Sequence, residues 1–177
     1  MYAVAAAADQ VIVIANPTLR AQLPAVPVFG DARPERGALV GLHSGLTRAG
    51  DAVLVVAWDM PFLSSELLRE LRRRGEERDI AVVPEGPRGP EPLCAYYPRS
   101  SLPVIEQQLA RGDLRLGHFV RALPARTIMP SSDVARFGDP ERLFANINTP
   151  AELDAAERTL ASASGHPAPD LSQTPLQ

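Results

Sequence analysis

The sequence predicts an α/β fold of three layers, with a mostly parallel sheet covered by helices on both faces. Three observations predict it. Val53-Leu54-Val55-Val56 is a continuous apolar run, the habit of a central parallel strand with both faces covered. Val11-Ile12-Val13-Ile14-Ala15 and Ile80-Ala81-Val82-Val83 are two more runs of the same type. The stretches around them carry apolar residues at helical spacing: Leu39, Leu42 and Leu46, then Leu67, Leu68 and Leu71, then Ile105 and Leu109.

At 177 residues the chain can bury one good core, and no linker interrupts it before the tail. One domain is therefore expected over residues 1–162 and a disordered tail, rich in Ser, Pro, Gly and Gln, over 163–177. A net charge of −3 and a pI near 5.6 speak against non-specific nucleic-acid binding and against an anionic membrane surface. The single cysteine, Cys94, excludes an internal disulfide and a multi-cysteine metal site. No apolar run approaches the roughly 18 residues that span a bilayer. Met1-Tyr2-Ala3 lacks a charged leader region, so a cytoplasmic protein is expected. All 18 basic side chains are arginine, so the chain has no lysine point charge to place on a phosphate.

Taken in order, Tyr2 to Ala8 is alanine-rich and reads as a helix, and Val11 to Ala15 as a strand ended by Asn16-Pro17. A doubly wound fold usually begins with a strand, so a start inside a helix is unexpected. Val26 to Phe29 is a short strand, followed by Gly30-Asp31 and a polar loop to Gly37. Ala38 to Arg48 forms a helix with a leucine face, while Gly37, Gly41 and Gly45 recur every four residues on another face. Such a bare face permits either tight packing against the sheet or the approach of a phosphate or base to the helix amino end. After the central strand, Pro61 prevents its continuation. Ser64 or Ser65 caps a helix that Gly75 ends.

Ile80 to Val83 is the next strand, Glu85 to Pro90 a Gly/Pro loop, and Leu93 to Tyr97 another strand. Ser100 or Ser101 opens a helix with Leu102, Ile105 and Leu109. Gly112 ends it, and Asp113 caps a shorter helix with Leu116, Phe119, Val120 and Leu123 inward. Thr127-Ile128-Met129 is a short strand. Thr149 and Glu152 then form a capping box around Pro150, starting a helix that runs to about Leu160.

Asp59 follows the central strand directly, at the carboxyl edge where open α/β sheets bind ligands. A carboxylate there holds a metal ion or a ribose hydroxyl, or it only caps the turn. Asp31 is a second acid just past a strand, and two such carboxylates could share a divalent ion that neutralises a triphosphate. Asn146 and Asn148 stand two residues apart in an extended segment, so both amides point the same way. They can hydrogen-bond a heterocycle or a phosphate, or one of them can cap the helix that follows. His43, His118 and His166 are far apart and pair with no nucleophile. Cys94 reads as a buried thiol, and Arg72-Arg73-Arg74 as charge suited to a helix carboxyl end.

Asp59-Met60-Pro61-Phe62-Leu63 after an apolar strand, Gly37-Ala38-Leu39-Val40-Gly41-Leu42 before it, and the segment Phe144-Ala145-Asn146-Ile147-Asn148-Thr149-Pro150-Ala151-Glu152-Leu153 together resemble the molybdenum cofactor guanylyltransferase family. The likeness covers nearly all of residues 11–160 in the right order. It implies a Rossmann-like nucleotidyltransferase fold and the transfer of GMP from GTP to molybdopterin, with release of pyrophosphate and help from magnesium. By the same resemblance Asp59 is the metal-binding aspartate, and Asp31 the nucleotide-contacting aspartate ahead of the glycines Gly37 and Gly41. Asn16 falls in the segment that meets the guanine nucleotide. Asn146 and Asn148 match the asparagines beside the pterin.

Members of the family open with a strand and a loop of the pattern Leu-Ala-Gly-Gly-x-Ser-x-Arg-Met-Gly-x-Asp-Lys, which grips the triphosphate. This sequence has no such stretch, so a domain truncated at its amino end, with weak or no turnover of its own, is expected. In the family the first strand lies between the counterparts of the Val11 and Val53 strands. Here those two must pair directly, accept a strand from a partner or a second copy, or leave open edges. The alternative readings are a sister transferase, using CTP on molybdopterin or GTP on another phosphorylated acceptor, and a non-catalytic binding module.

Overall fold

Strand pleating sorts the apolar residues of this chain into two cores, one on each face of a sheet. The computed structural model describes residues 2–23, 25–147 and 149. It begins with α1 (Tyr2–Ala5), β1 (Val13–Ile14), a 3-10 turn (Pro17–Ala21) and β2 (Val28–Phe29), followed by α2 (Ala38–Ala49), β3 (Val53–Val56) and α3 (Ser65–Arg78). Next come β4 (Ala81–Gly86), β5 (Gly89–Pro90), β6 (Cys94–Tyr97), α4 (Leu102–Ala110) and α5 (Leu116–Ala122). The chain then continues through β7 (Arg126–Met129), α6 (Ser131–Val134) and α7 (Pro140–Leu143). Asn148, the helix expected from Pro150 and the tail expected over 163–177 lie outside the described residues.

The main sheet has the order β3-β6-β4-β5, with β7 paired to β4; β1 and β2 form a separate parallel pair. β3, β4 and β7 run in one direction, as a wound sheet requires. The sheet is nevertheless mixed, and the expected mostly parallel arrangement is not found: β6 sits between β3 and β4 and runs antiparallel to both. Chain length explains this. The stretch expected as a Gly/Pro loop is a hairpin, with Glu85 opposite Pro90 and Gly86 opposite Gly89, and the chain returns at once through β6. A parallel neighbour would need a crossover of a dozen or more residues.

Residues that alternate along each strand enter different cores, as the two-residue period of a strand demands. Val53, Val55, Ala81, Val83, Ala95 and Tyr97 face Leu39, Leu42 and Leu46 of α2, Ile105 and Leu109 of α4, and Phe119 of α5. Leu54, Val56, Val82, Cys94 and Tyr96 face Leu67, Leu68 and Leu71 of α3, with Met60, Leu63 and Phe144 closing the end. Helices on two faces of one sheet give the three layers expected.

β3, expected at the centre and covered on both faces, is the edge of the main sheet, and its residues are only half-buried. Neither β1 nor β3 has a strand on its second side among the described residues. Direct pairing of the two is thus not what the chain does. The Ala57 N–H donates to the Leu93 carbonyl at 2.7 Å, so by alternation the N–H groups of Val53 and Val55 also face β6, while those of Leu54 and Val56 face the open side. Hydrogen exchange should therefore be slow at Val53, Val55 and Ala57 and faster by a factor of at least about ten at Leu54 and Val56. Equal protection at all five amides would mean that the open side is filled.

α3 starts where the sequence indicates, with the Ser64 hydroxyl accepting the Leu67 N–H at 3.1 Å. It does not end at Gly75. The helix runs on to Arg78 and is capped by Asp79 in the left-handed conformation, φ 52°. Gly75 instead faces the ring of Tyr96, and a Cβ there would lie 2.0 Å from Tyr96 Cδ1. Arg72, Arg73 and Arg74 form ion pairs: Arg72 with Asp9 and Glu76, Arg73 with Glu70 and Glu77, Arg74 with Glu70 and Asp133. Hydrogen bonds from Arg73 and then Arg74 hold the Glu70 carboxyl down at about 2. Asp113 is not the cap residue of α5; Arg115 holds that place, and Asp113 accepts its N–H at 3.1 Å and pairs with His118 at 2.7 Å. No helix of the described residues is long and apolar enough to cross a membrane.

Candidate functional site

The turn that follows β3 is fixed on both sides. Its start is tied by the Ala57 bond to Leu93, and the Met60 N–H closes it onto the Ala57 carbonyl at 3.4 Å. Met60 and Leu63 are buried in the core beyond it. Trp58 and Asp59 stand at the corner. Because a backbone bond closes the turn and no N–H among the described residues donates to the Asp59 side chain, the reading of Asp59 as a mere turn cap does not hold. Its carboxylate is half-buried and has no hydrogen bond or ion pair among the described residues.

The main chain of Asp59 does have a partner. Its carbonyl accepts the Ile147 N–H at 2.9 Å, which fastens the segment carrying Asn146 to the end of β3. Asn146 is exposed, and its amide has no partner among the described residues; Asn148 lies outside them. At its other end the segment is anchored by Phe144, which packs so close to Gly86 that a Cβ there would lie 2.9 Å from Phe144 Cδ2 and 2.6 Å from Glu91 Oε1. Residues 144–147 thus reach from the end of β4 to the end of β3, past the amino end of β6.

Three residues on this edge were given no role by sequence. Glu91 is half-buried, and burial raises its carboxyl above the usual range against the opposing pull of Arg88. Arg142 places its guanidinium 5.1 Å from the centre of the Phe62 ring, beside the turn of Asp59. Trp58 is 91% exposed. A signal existed for two of them: Trp58 is the sole tryptophan and directly precedes the acid, and Arg142 is a cation shortly before the asparagines in a chain without lysine. Nothing in the sequence signals the burial of Glu91.

Asn16, Asp31, Gly37 and Gly41 gather at a second place, the carboxyl ends of β1 and β2. Asn16 Oδ1 accepts the Thr18 N–H at 3.1 Å, and the Pro17 ring abuts Gly30, 3.4 Å from where a Cβ would stand. The loop after β2 is pinned to α2 by Ser44, whose hydroxyl accepts the Ala32 N–H and donates to the Val40 carbonyl, both at 2.8 Å. Asp31 consequently lies over the first turn of α2, with Oδ1 4.0 Å from the Cβ position of Gly41. Gly37 opens the helix at φ 149°, where other residues are strained. The glycine face is not packed tightly on the sheet: a Cβ on Gly45 would meet nothing within 4 Å.

No hydrogen bond or ion pair joins Asp31 to Asp59, and no group of three or more His, Cys, Asp or Glu able to hold a metal occurs among the described residues. Asp59 by itself still fits magnesium, which is commonly held by one or two carboxylates together with phosphate oxygens and water. A groove of about 380 Å³ beside α3, lined by residues such as Ala6, Asp9, Arg72 and Glu76, holds none of these groups.

The chain matches the family model of a MobA-like NTP transferase domain over residues 1–127. It is 36% identical over 154 residues to a molybdenum cofactor guanylyltransferase of Desulfosudis oleivorans, covering 86% of this chain and 75% of the relative. With the molybdenum cofactor guanylyltransferase of Syntrophotalea carbinolica it shares 32% identity over 158 residues, 87% of this chain and 74% of the other. Among solved structures, the molybdopterin-guanine dinucleotide biosynthesis protein A of Archaeoglobus fulgidus superposes with a TM-score of 0.71 at 27% identity, covering 85% of this chain and 78% of that one.

Proposed function

Because the chain belongs to the MobA-like NTP transferase family, we propose that it transfers GMP from GTP to molybdopterin, with weak turnover by the 177-residue chain alone. The observation that carries this reading is the Ile147 to Asp59 hydrogen bond, which fastens the segment bearing the unpaired Asn146 amide to the turn bearing the unpaired Asp59 carboxylate. Asp59 would hold magnesium, which when bound neutralises triphosphate charge and the charge that grows on the departing pyrophosphate. Asn146 then orients the acceptor through its free amide donors and acceptor.

The nucleotide's base and ribose fit the other group of residues. Asp31 offers a carboxylate that accepts from amino or hydroxyl donors, and the open glycine face of α2 lets a flat base approach the backbone. Asn16 borders that place, with its carbonyl oxygen engaged by Thr18. Arg142 lays its cation over the ring of Phe62, a residue shortly after Asp59 in the chain, and suits phosphate oxygens in a sequence that has no lysine. Weak turnover follows from the same lack. The edges of β1 and β3, open among the described residues, suit a strand supplied by another chain or a second copy.

The test is a turnover assay with GTP, magnesium and molybdopterin, repeated with CTP. Slow formation of the guanine dinucleotide with GTP alone is expected. Family-like rates would refute the weak turnover, product from CTP but not GTP would refute the nucleotide, and calorimetry showing that neither substrate binds would remove the reading as a whole.

A further inference from the structure

Trp58 is the only tryptophan of the chain, and it is 91% exposed on the turn that presents Asp59. A large aromatic face left in water is unfavourable, and here it stands on a backbone tied down at several points. The Ala57 N–H bonds to Leu93 at 2.7 Å, the Met60 N–H to Ala57 at 3.4 Å, and the Asp59 carbonyl to Ile147 at 2.9 Å. No ring or guanidinium stacks on Trp58 among the described residues; those pairings are Tyr97 with Phe119, Arg48 with Phe29 and Arg142 with Phe62. A rigid turn thus carries an uncovered indole, with the unpaired Asp59 next in the chain and the unpaired Asn146 on the segment bonded to that turn.

We propose that Trp58 is the stacking platform for the pterin ring of the acceptor, an inference that rests on the transfer to molybdopterin put forward above. A fused, flat heterocycle matches an indole face, and stacking of this kind strengthens binding of one base by about ten- to a hundredfold. Position selects the pterin over the guanine. The turn of Trp58 is hydrogen-bonded to the segment that carries Asn146, whereas Asp31 and the glycine face border α2 and the β1–β2 pair. Asn146 supplies the hydrogen bonds at the ring edge that stacking alone lacks, and so fixes the orientation of the heterocycle. Trp58 acts on acceptor affinity and not on the phosphate chemistry, so its removal spares nucleotide binding.

Calorimetric titration of the full chain with free pterin, and separately with GTP and magnesium, tests this for wild type, Trp58→Ala and Trp58→Phe. Pterin affinity should fall at least about tenfold in Trp58→Ala and stay within about threefold in Trp58→Phe. GTP affinity should remain within twofold in both variants, roughly the precision of such a comparison. Pterin should also quench the emission of the sole tryptophan in a saturable way. A circular dichroism melt checks that Trp58→Ala is folded, which its exposure predicts. Unchanged pterin affinity in Trp58→Ala overturns the inference and leaves the transferase reading standing. Loss of GTP affinity in that variant with pterin affinity intact assigns the ring to the base of the nucleotide and overturns it too. A wild type that binds GTP but no pterin removes the acceptor, and the platform with it.

Discussion

Asp59→Asn is expected to abolish the magnesium dependence of GTP binding and to cut the remaining GMP transfer at least about a hundredfold, close to 2.7 kcal/mol in the barrier. The substitution keeps shape and removes charge. The contact that fastens Ile147 is made by the main-chain carbonyl of Asp59, so the turn and the asparagine segment stay in place. The carboxylate has no partner among the described residues, and folding stability should change by less than about 0.5 kcal/mol. Titrating GTP with and without magnesium reads the first effect directly. Retention of the magnesium increment in Asp59→Asn would show that another group holds the ion. Asp31→Asn makes the contrast, because Asp31 lies over α2 and should weaken GTP binding equally with and without the metal.

The largest effect on stability is expected at a position far from any chemistry. Gly75→Ala introduces a Cβ that would stand 2.0 Å from Cδ1, 2.4 Å from Cε1 and 2.7 Å from Cγ of Tyr96. Two effects compete. Alanine is the better helix former by up to about 1 kcal/mol, whereas forcing extra volume into a packed core costs about 1–3 kcal/mol. The atoms in the way belong to a ring next to its own main chain, buried between α3 and the sheet, and they cannot swing aside as the tip of a long side chain does. Overpacking wins, and net destabilisation of about 1–2 kcal/mol should appear as a lower urea midpoint at unchanged slope. Tyr96→Val in the same chain should reduce the penalty of Gly75→Ala. A Gly75→Ala chain more stable than wild type would refute the packing of α3 on β6.

The legible parts of this fold are those in which local pattern and tertiary packing agree. The leucine faces of α2 and α3 and the runs at β3, β4 and β6 lie where their periodicity places them, because the same residues that set the period fill the cores. Two features misled. Gly75 has the residue type of a helix end, but here its missing side chain serves a ring on another element, and no local rule reports that. Val53 to Val56 has the composition of a central strand and lies at an edge of the described sheet; composition records what the faces meet and says nothing about neighbours along the hydrogen bonds. Strand direction was also illegible, since it turned on the shortness of the path from β4 to β6. In the candidate site, Asp59 and the asparagine segment could be named from sequence, while their closeness depends on one backbone bond from Ile147. Glu91 was hidden because it folds back over Gly86 through a tight hairpin, where Phe144, far away along the chain, closes on the same glycine.

Cys94 sits in β6, wholly enclosed between the strands on either side, and burial followed by the nearby Glu91 pushes its thiol up to about 12. At neutral pH this sulfur is uncharged and out of reach in the core beneath α3, so an alkylating reagent can modify it only in molecules in which α3 has lifted from the sheet or the sheet itself has opened. The protein therefore carries a built-in clock: the rate at which a maleimide consumes its one thiol counts the openings of the core between α3 and the sheet, with no label to be engineered.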